Sequence, residues 1–242
     1  MEVMTITEKV ERKNNLRYAK DSLLGLYNRV GCGVTLSDIA SRQILSINPP
    51  DEYDDVVKAE TLDKLAEVIC VNYKYALFKK YVKITGLSNA EKEILLASLI
   101  SADFDEDKAY AYNKLKGYSD LSLDGVFNFQ MQPLRKKWLE VCGYMPNCFT
   151  KNQLIEFINY LLDGRRKKAY VDCGKVYDGY FRRVNRVSLL DDQDTGRVVR
   201  EVLLSGAGDV ELYGPLSPED EKYLKEFFLS RITFRKEFVN KR

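Results

Sequence analysis

The chain has 242 residues, of which 45% are hydrophobic and 31% are charged, and its formal net charge is +2. This balance is typical of a folded globular protein and excludes an intrinsically disordered one. No stretch approaches the roughly 20 consecutive apolar residues of a membrane-spanning helix, and the first residues lack the apolar core of a secretory signal. We therefore expect neither membrane insertion nor secretion.

The sequence contains no histidine, and its five cysteines are widely spaced without a C-x-x-C pair. Histidine is the commonest general base and a common metal ligand, so its absence argues against an enzyme and against a metal site. The cysteine usage is that of a reducing compartment and predicts a cytoplasmic protein. We expect no cofactor and no metal.

The first 50 residues predict a small N-terminal α/β unit. Residues 2–7 favour a strand, and residues 12–30 carry apolar side chains at helical spacing. Two further strands are predicted over 34–36 and 43–47. The prolines that follow, in the sequence Asn48-Pro49-Pro50-Asp51, mark a boundary.

Residues 51–164 predict a helical region. Ser88 with Glu91, and Thr150 with Gln153, have the spacing of capping boxes, which satisfy free amides at a helix start. The segment around Gly125 favours a turn. The predicted helices cover residues 59–82, 88–101, 105–115, 133–142 and 151–162.

Residues 165–242 predict a C-terminal α/β unit with a small mixed sheet. Residues 191–196 favour a turn, residues 197–204 fit either a helix or a strand, and Ser217 begins a helix. Strands are predicted over residues 169–173, 186–190, 209–213 and 232–238. The whole chain is thus predicted to be an α+β protein, and its two ends could form one domain because each alone is too small to bury both faces of a sheet.

Three segments resemble one known family. They are Leu62 to Tyr81 followed by Glu91-Lys92-Glu93-Ile94, then Leu123-Asp124-Gly125-Val126-Phe127-Asn128-Phe129, and Leu154 to Leu162 with Glu-Phe-Ile at its centre. Together they resemble the YtxC family of sporulation proteins from endospore-forming bacteria, over about residues 60–238. The family commonly has Gly-Phe-x-x-Phe-Arg where this chain has Gly125 to Gln130, so the arginine is missing. The resemblance implies a cytoplasmic bacterial protein connected with spore formation and brings no catalytic residues.

Residues 165–186 carry eight bases against two acids, interleaved with tyrosines. Such a segment can hold phosphates while its aromatic rings stack on bases. Alternatively, it is a solvated helix end and loop, where cations are favoured by the helix dipole. The candidate residues for binding an anionic partner are Arg165, Arg166, Lys167, Lys168, Arg182, Arg183 and Arg186.

Phe127 and Phe129 are candidates for an aromatic binding surface, with packing between helices as the alternative. The acidic stretch 191–194 is more simply a turn than a magnesium site. We expect a non-enzymatic regulatory or protein-interaction role with a protein as partner, and the resemblance to the YtxC family implies that this role is associated with sporulation. The alternative is a nucleic-acid-associated protein that uses the basic segment 165–186.

Overall fold

Ten α-helices and nine strands form in the part of the chain that the computed structural model describes, residues 3–118, 120–190 and 195–235. The strands make two small sheets, one of four strands and one of five. The protein is therefore an α+β protein, as the sequence predicts. None of the described helices combines the length and the apolar character that crossing a bilayer requires.

Most of the helices occur at the positions that the periodicity of the sequence predicts. A π-helical turn, Ile69–Tyr73, joins the second helix to the third, and together these form the helix predicted over residues 59–82. The α-helices are α1 Asn14–Val30, α2 Asp54–Val68, α3 Lys74–Tyr81, α4 Asn89–Ala102, α5 Phe104–Leu115, α6 Leu123–Gln130, α7 Gln132–Tyr144, α8 Lys151–Leu162, α9 Arg197–Ser205 and α10 Pro218–Phe228.

The strands are β1 Met4–Lys9, β2 Gly33–Ile39, β3 Arg42–Asn48, β4 Asp120–Ser122, β5 Lys168–Asp172, β6 Lys175–Tyr177, β7 Arg183–Val184, β8 Asp209–Tyr213 and β9 Ile232–Arg235. They follow the orders β2-β3-β1-β4 and β7-β6-β5-β8-β9 in the two sheets. In the first sheet β3 lies between β1 and β2 and is antiparallel to both, while β4 lies parallel to β1. In the second, β5 and β8 are parallel, as are β8 and β9.

The chain divides into two compact units. Unit 1 comprises Met1–Leu77 and Asp105–Val141, and unit 2 comprises Phe78–Phe104 and Cys142–Arg242. The boundaries read from the sequence at residues 50 and 164 do not coincide with these limits, because helices of the 51–164 region contribute to both units. The N-terminal and C-terminal α/β segments lie in different units.

Both predicted capping boxes are confirmed. The Ser88 hydroxyl accepts a hydrogen bond from the amide of Glu91, whose carboxylate accepts one from the amide of Ser88. Thr150 and Gln153 make the same reciprocal pair at the start of α8. The predicted end of α1 is also confirmed, since Gly31 follows the helix in the left-handed region with φ 69°.

Two segments differ from the sequence prediction. The predicted turn around Gly125 is the helix α6, because the Ser122 hydroxyl accepts a hydrogen bond from the Gly125 amide and caps a new helix. The predicted strand at 186–190 contains a 3-10 helix, Arg186–Leu189, because its first two amides bind the Glu201 carboxylate instead of a neighbouring strand. The predicted turn residues 191–194 and strand residues 236–238 lie outside the described residues.

The core of unit 1 contains a charged centre at Asp107, whose side chain is only 1% exposed. The Lys74 ammonium lies 2.7 Å from one carboxylate oxygen, which also accepts a hydrogen bond from the Trp138 indole at 2.7 Å. The other oxygen pairs with Lys137 at 2.9 Å. These contacts join α3, α5 and α7, and Phe127 stacks on Trp138 with ring centroids 5.8 Å apart.

Replacing Lys74 with alanine should lower the free energy of unfolding by about 3 kcal/mol or more, because the substitution leaves a buried carboxylate without its main partner. Urea unfolding of the full chain measures this loss. The matched control is Lys136→Ala, since the Lys136 side chain is 80% exposed and its ion pair with Glu140 is worth about 0.5 kcal/mol or less. Equal losses in the two variants would show that the Asp107 centre does not stabilise unit 1.

Candidate functional site

The five-stranded sheet of unit 2 has one buried and one open face. Alternate residues along its strands point inward and are buried, and they form the inner face. These residues are Ala169, Val171, Val176, Val210 and Leu212. The residues between them point to the other side, which we call the outer face. The outer face consists of Lys168, Tyr170, Asp172, Lys175, Tyr177, Arg183, Asp209, Glu211, Tyr213, Thr233 and Arg235.

Strand register aligns five outer-face residues in one row across the whole sheet. Arg183 pairs with Tyr177, Tyr177 with Tyr170, Tyr170 with Glu211, and Glu211 with Thr233. Residues that face each other across neighbouring strands lie about 5 Å apart, so their side chains are in contact range. The row therefore places two tyrosines between a base at one edge and a carboxylate near the other.

The aromatic rings of the outer face form a connected cluster. Phe181 stacks on Tyr170 with ring centroids 4.4 Å apart and planes at 19°, and Tyr213 lies 6.5 Å from the Tyr170 ring. Tyr170, Tyr177 and Tyr213 are partly exposed. Large partly exposed aromatic rings supply contact area at a small loss of conformational freedom, which suits them to binding a partner.

Glu211 is the electrostatic centre of this face. Its carboxylate lies 2.7 Å from the Lys168 ammonium, accepts a hydrogen bond from the Tyr213 hydroxyl at 2.7 Å, and lies 3.7 Å from Arg235. The hydrogen bond from Lys168 and the one from Tyr213 hold the pKa of Glu211 below its usual value. The same contact raises the pKa of Lys168, so both side chains are charged at neutral pH.

The structure does not bring the seven predicted anion-binding residues together as one free patch. Two of them point into unit 2 and satisfy carbonyls at helix ends. The Arg165 guanidinium donates to the carbonyl of Ser101 at 2.9 Å and to its hydroxyl at 3.3 Å, at the end of α4. Arg186 donates to the Leu204 carbonyl at the end of α9 and lies 4.2 Å from the Phe104 ring centroid.

The remaining five predicted bases are more exposed, but two of them are already engaged by acids. Lys168 pairs with Glu211, as described above, and Arg182 pairs with Asp178 at 3.0 Å. Arg166, Lys167 and Arg183 are exposed, and Arg183 lies on the outer face. The predicted segment 165–186 thus contributes to the outer face through Lys168, Lys175 and Arg183, and not through its other bases.

The two predicted aromatic residues are separated by the fold. Phe127 is 7% exposed and packs between Tyr73 and Trp138, so the packing alternative is correct for it. Phe129 is 80% exposed near the end of α6. They do not form a shared aromatic surface.

A cleft of about 520 Å³ lies beside the β6–β7 hairpin in unit 2. Two acidic residues that line it, Glu201 and Asp220, already accept hydrogen bonds from the protein. The Glu201 carboxylate accepts backbone hydrogen bonds from Arg186 and Val187 at 2.7 and 2.9 Å. Asp220 accepts hydrogen bonds from the Ser217 hydroxyl and the Val198 amide, at 2.8 and 3.2 Å. These acids cap helical segments, and no set of three or more metal-ligating side chains converges anywhere among the described residues.

Sequence reasoning missed Glu211, Tyr213 and Arg235, which complete the outer face. They belong to β8 and β9, far along the chain from β5. The predicted strand over 209–213 has Glu211 and Tyr213 on one side, and this alternation is the signal that could have identified them. Comparison of the chain with known protein families, with curated proteins and with solved structures finds no match.

Replacing Arg165 with alanine should lower the free energy of unfolding by about 1.5 to 3 kcal/mol, because it removes charge-assisted hydrogen bonds to the end of α4. Its neighbour Arg166 is exposed and provides a matched control, and Arg166→Ala should change stability by less than about 0.5 kcal/mol. Urea unfolding distinguishes the two variants. If they are equally stable, the helix-capping role of Arg165 is wrong.

Proposed function

We propose that the protein is a non-enzymatic regulatory protein that acts by binding another protein through the outer face of unit 2. The observation that carries the proposal is the tyrosine cluster on an open sheet face, surrounded by charges of both signs. The resemblance to the YtxC family supports a cytoplasmic role connected with spore formation. The absence of histidine in the sequence supports a function other than catalysis.

The tyrosine cluster provides the binding energy in this proposal. Tyrosine and arginine are enriched among the few interface residues that dominate affinity. The outer face offers three tyrosines, and Arg183 lies at one end of the row that contains Tyr170 and Tyr177. A partner that covers Tyr170 and Tyr177 would bury both rings against the sheet, so we assign the centre of the contact to these two residues.

The charge pattern favours a protein over a nucleic acid. The outer face carries four bases and three acids, which are Lys168, Lys175, Arg183 and Arg235 with Asp172, Asp209 and Glu211. Nucleic acid is bound mainly by clustered bases that neutralise phosphates. A nearly balanced face instead fits a protein surface with acidic and basic groups in complementary positions.

The partner test is affinity capture from sporulating cells with the double variant Tyr170→Ala/Tyr177→Ala. We expect its affinity for the captured protein to fall about tenfold or more, since truncation of a central interface tyrosine typically costs about 2 kcal/mol. The control is Tyr144→Ala/Tyr160→Ala, two exposed tyrosines of unit 2 that lie outside the sheet. Equal capture by both double variants, or recovery of nucleic acid alone, would contradict the proposal.

A nucleic-acid role is the second candidate, favoured by the stacking of Tyr170 and Phe181 beside Lys168 and Arg183. Single strands bind to such faces through ring stacking and phosphate contacts.

We expect a labelled single-stranded oligonucleotide to show flat fluorescence anisotropy when titrated at about 0.01 M salt, where the Debye length is about 30 Å. The physical reason is that Glu211 and Asp178 already neutralise Lys168 and Arg182. Binding that weakens as salt rises and is lost in Tyr170→Ala would instead establish the nucleic-acid role.

A further inference from the structure

Strand β2 forms a free edge of the unit 1 sheet. One side of its backbone pairs with β3 over all seven residues, and among the described residues its other side pairs with no strand. Gly33, Thr35, Ser37, Asp38 and Ile39 are exposed. The unpaired amides and carbonyls of such an edge are a template for another strand.

The other sheet edges among the described residues are short or charged. Strand β4 has three residues and β7 has two, and the described part of β9, Ile232–Arg235, carries a basic residue. Short length and basic side chains are the usual devices that keep strand edges from pairing. Strand β2 has neither device, since it contains no lysine, arginine or proline, and Asp38 is its single charge.

We infer that β2 is a self-association surface, on which a second copy of this chain adds its own β2 in antiparallel orientation. A two-fold axis at Leu36 pairs all seven residues of the strand with all seven of the other copy. Leu36 then faces Leu36 of the second copy, Thr35 faces Ser37, Val34 faces Asp38, and Gly33 faces Ile39. The two sheets join into one continuous sheet of eight strands.

The side chains favour this register. Thr35 and Ser37 form a polar cross-strand pair, which is stabilising in sheets. Ile39, a residue that is 58% exposed, would cover Gly33 of the other copy. No like charges face each other, because Asp38 lies opposite Val34 while it keeps its hydrogen bond from Gln43 at 2.9 Å. A two-fold axis at Asp38 would instead oppose two carboxylates.

The surface involves unit 1 alone and does not depend on the function proposed for the outer face of unit 2. Its prediction is that the full chain is a dimer at micromolar concentration in sedimentation velocity. The variant Thr35→Lys/Ser37→Lys places lysine opposite lysine twice and should weaken the dimer roughly tenfold or more. The matched variant Thr35→Lys/Ser37→Glu places opposite charges there and should remain a dimer. A monomeric wild-type chain, or the same association in both variants, would overturn the inference.

Cross-linking gives a second test that does not need the lysine variants to fold. In Leu36→Cys the two Cα atoms would lie about 5 Å apart across the axis, inside the range of about 4.4 to 6.8 Å that a disulfide spans. In the control Thr35→Cys the equivalent atoms are offset along the strands to about 8 Å, which is too far. We expect mild oxidation to yield a reducible covalent dimer of Leu36→Cys, above the wild-type background, and none of Thr35→Cys. Equal yields from the two variants would overturn the proposed register.

Discussion

The fold of unit 1 depends on the ion pairs and the hydrogen bond that stabilise the buried carboxylate of Asp107. An ionised group in an apolar core is tolerated only when its oxygens are fully bonded by donors or cations. Asp107 meets this condition through Lys74, Lys137 and Trp138. Lys74 belongs to α3, which precedes α5 in the chain, and Lys137 and Trp138 belong to α7, which follows it. The Asp107 centre therefore fixes the relative placement of α3, α5 and α7. The ring of Phe127 then packs on Trp138, which explains why Phe127 is buried and does not contribute to the surface.

The fold was predictable wherever a local signal decides the structure. Capping boxes at Ser88 and Thr150 place α4 and α8 to within a residue. The prediction failed at two segments for different reasons. At Gly125 the signal was local but overlooked, since the Ser122 hydroxyl three residues earlier caps a helix. At residues 186–190 a distant group decides the structure, because the Glu201 carboxylate accepts hydrogen bonds from the first two amides. The division into two units could also not be predicted from the sequence, because it depends on which helices pack into the same core.

The candidate site was predictable only in part, for a related reason. The sequence shows that bases and tyrosines alternate after residue 165, and Lys168, Tyr170, Tyr177 and Arg183 do share one face. The sequence does not show that the side chains of Arg165 and Arg186 donate hydrogen bonds to carbonyls at helix ends. Nor does it show Glu211, which converts a basic segment into a face of mixed charge. Strand register, which is set by pairing between distant segments, supplies this information.

The parallel pairing of β4 with β1 has a consequence for synthesis of the protein on the ribosome. Residues 5–7 pair with residues 120–122, so the N-terminal sheet stays incomplete while more than a hundred further residues are translated. The Asp107 carboxylate likewise reaches Trp138 only after that part of the chain has emerged. Strands β1, β2 and β3 can pair early, but unit 1 can complete its fold only after the segment with Trp138 has been translated. The contacts that complete it join segments far apart in the sequence, and such contacts form slowly.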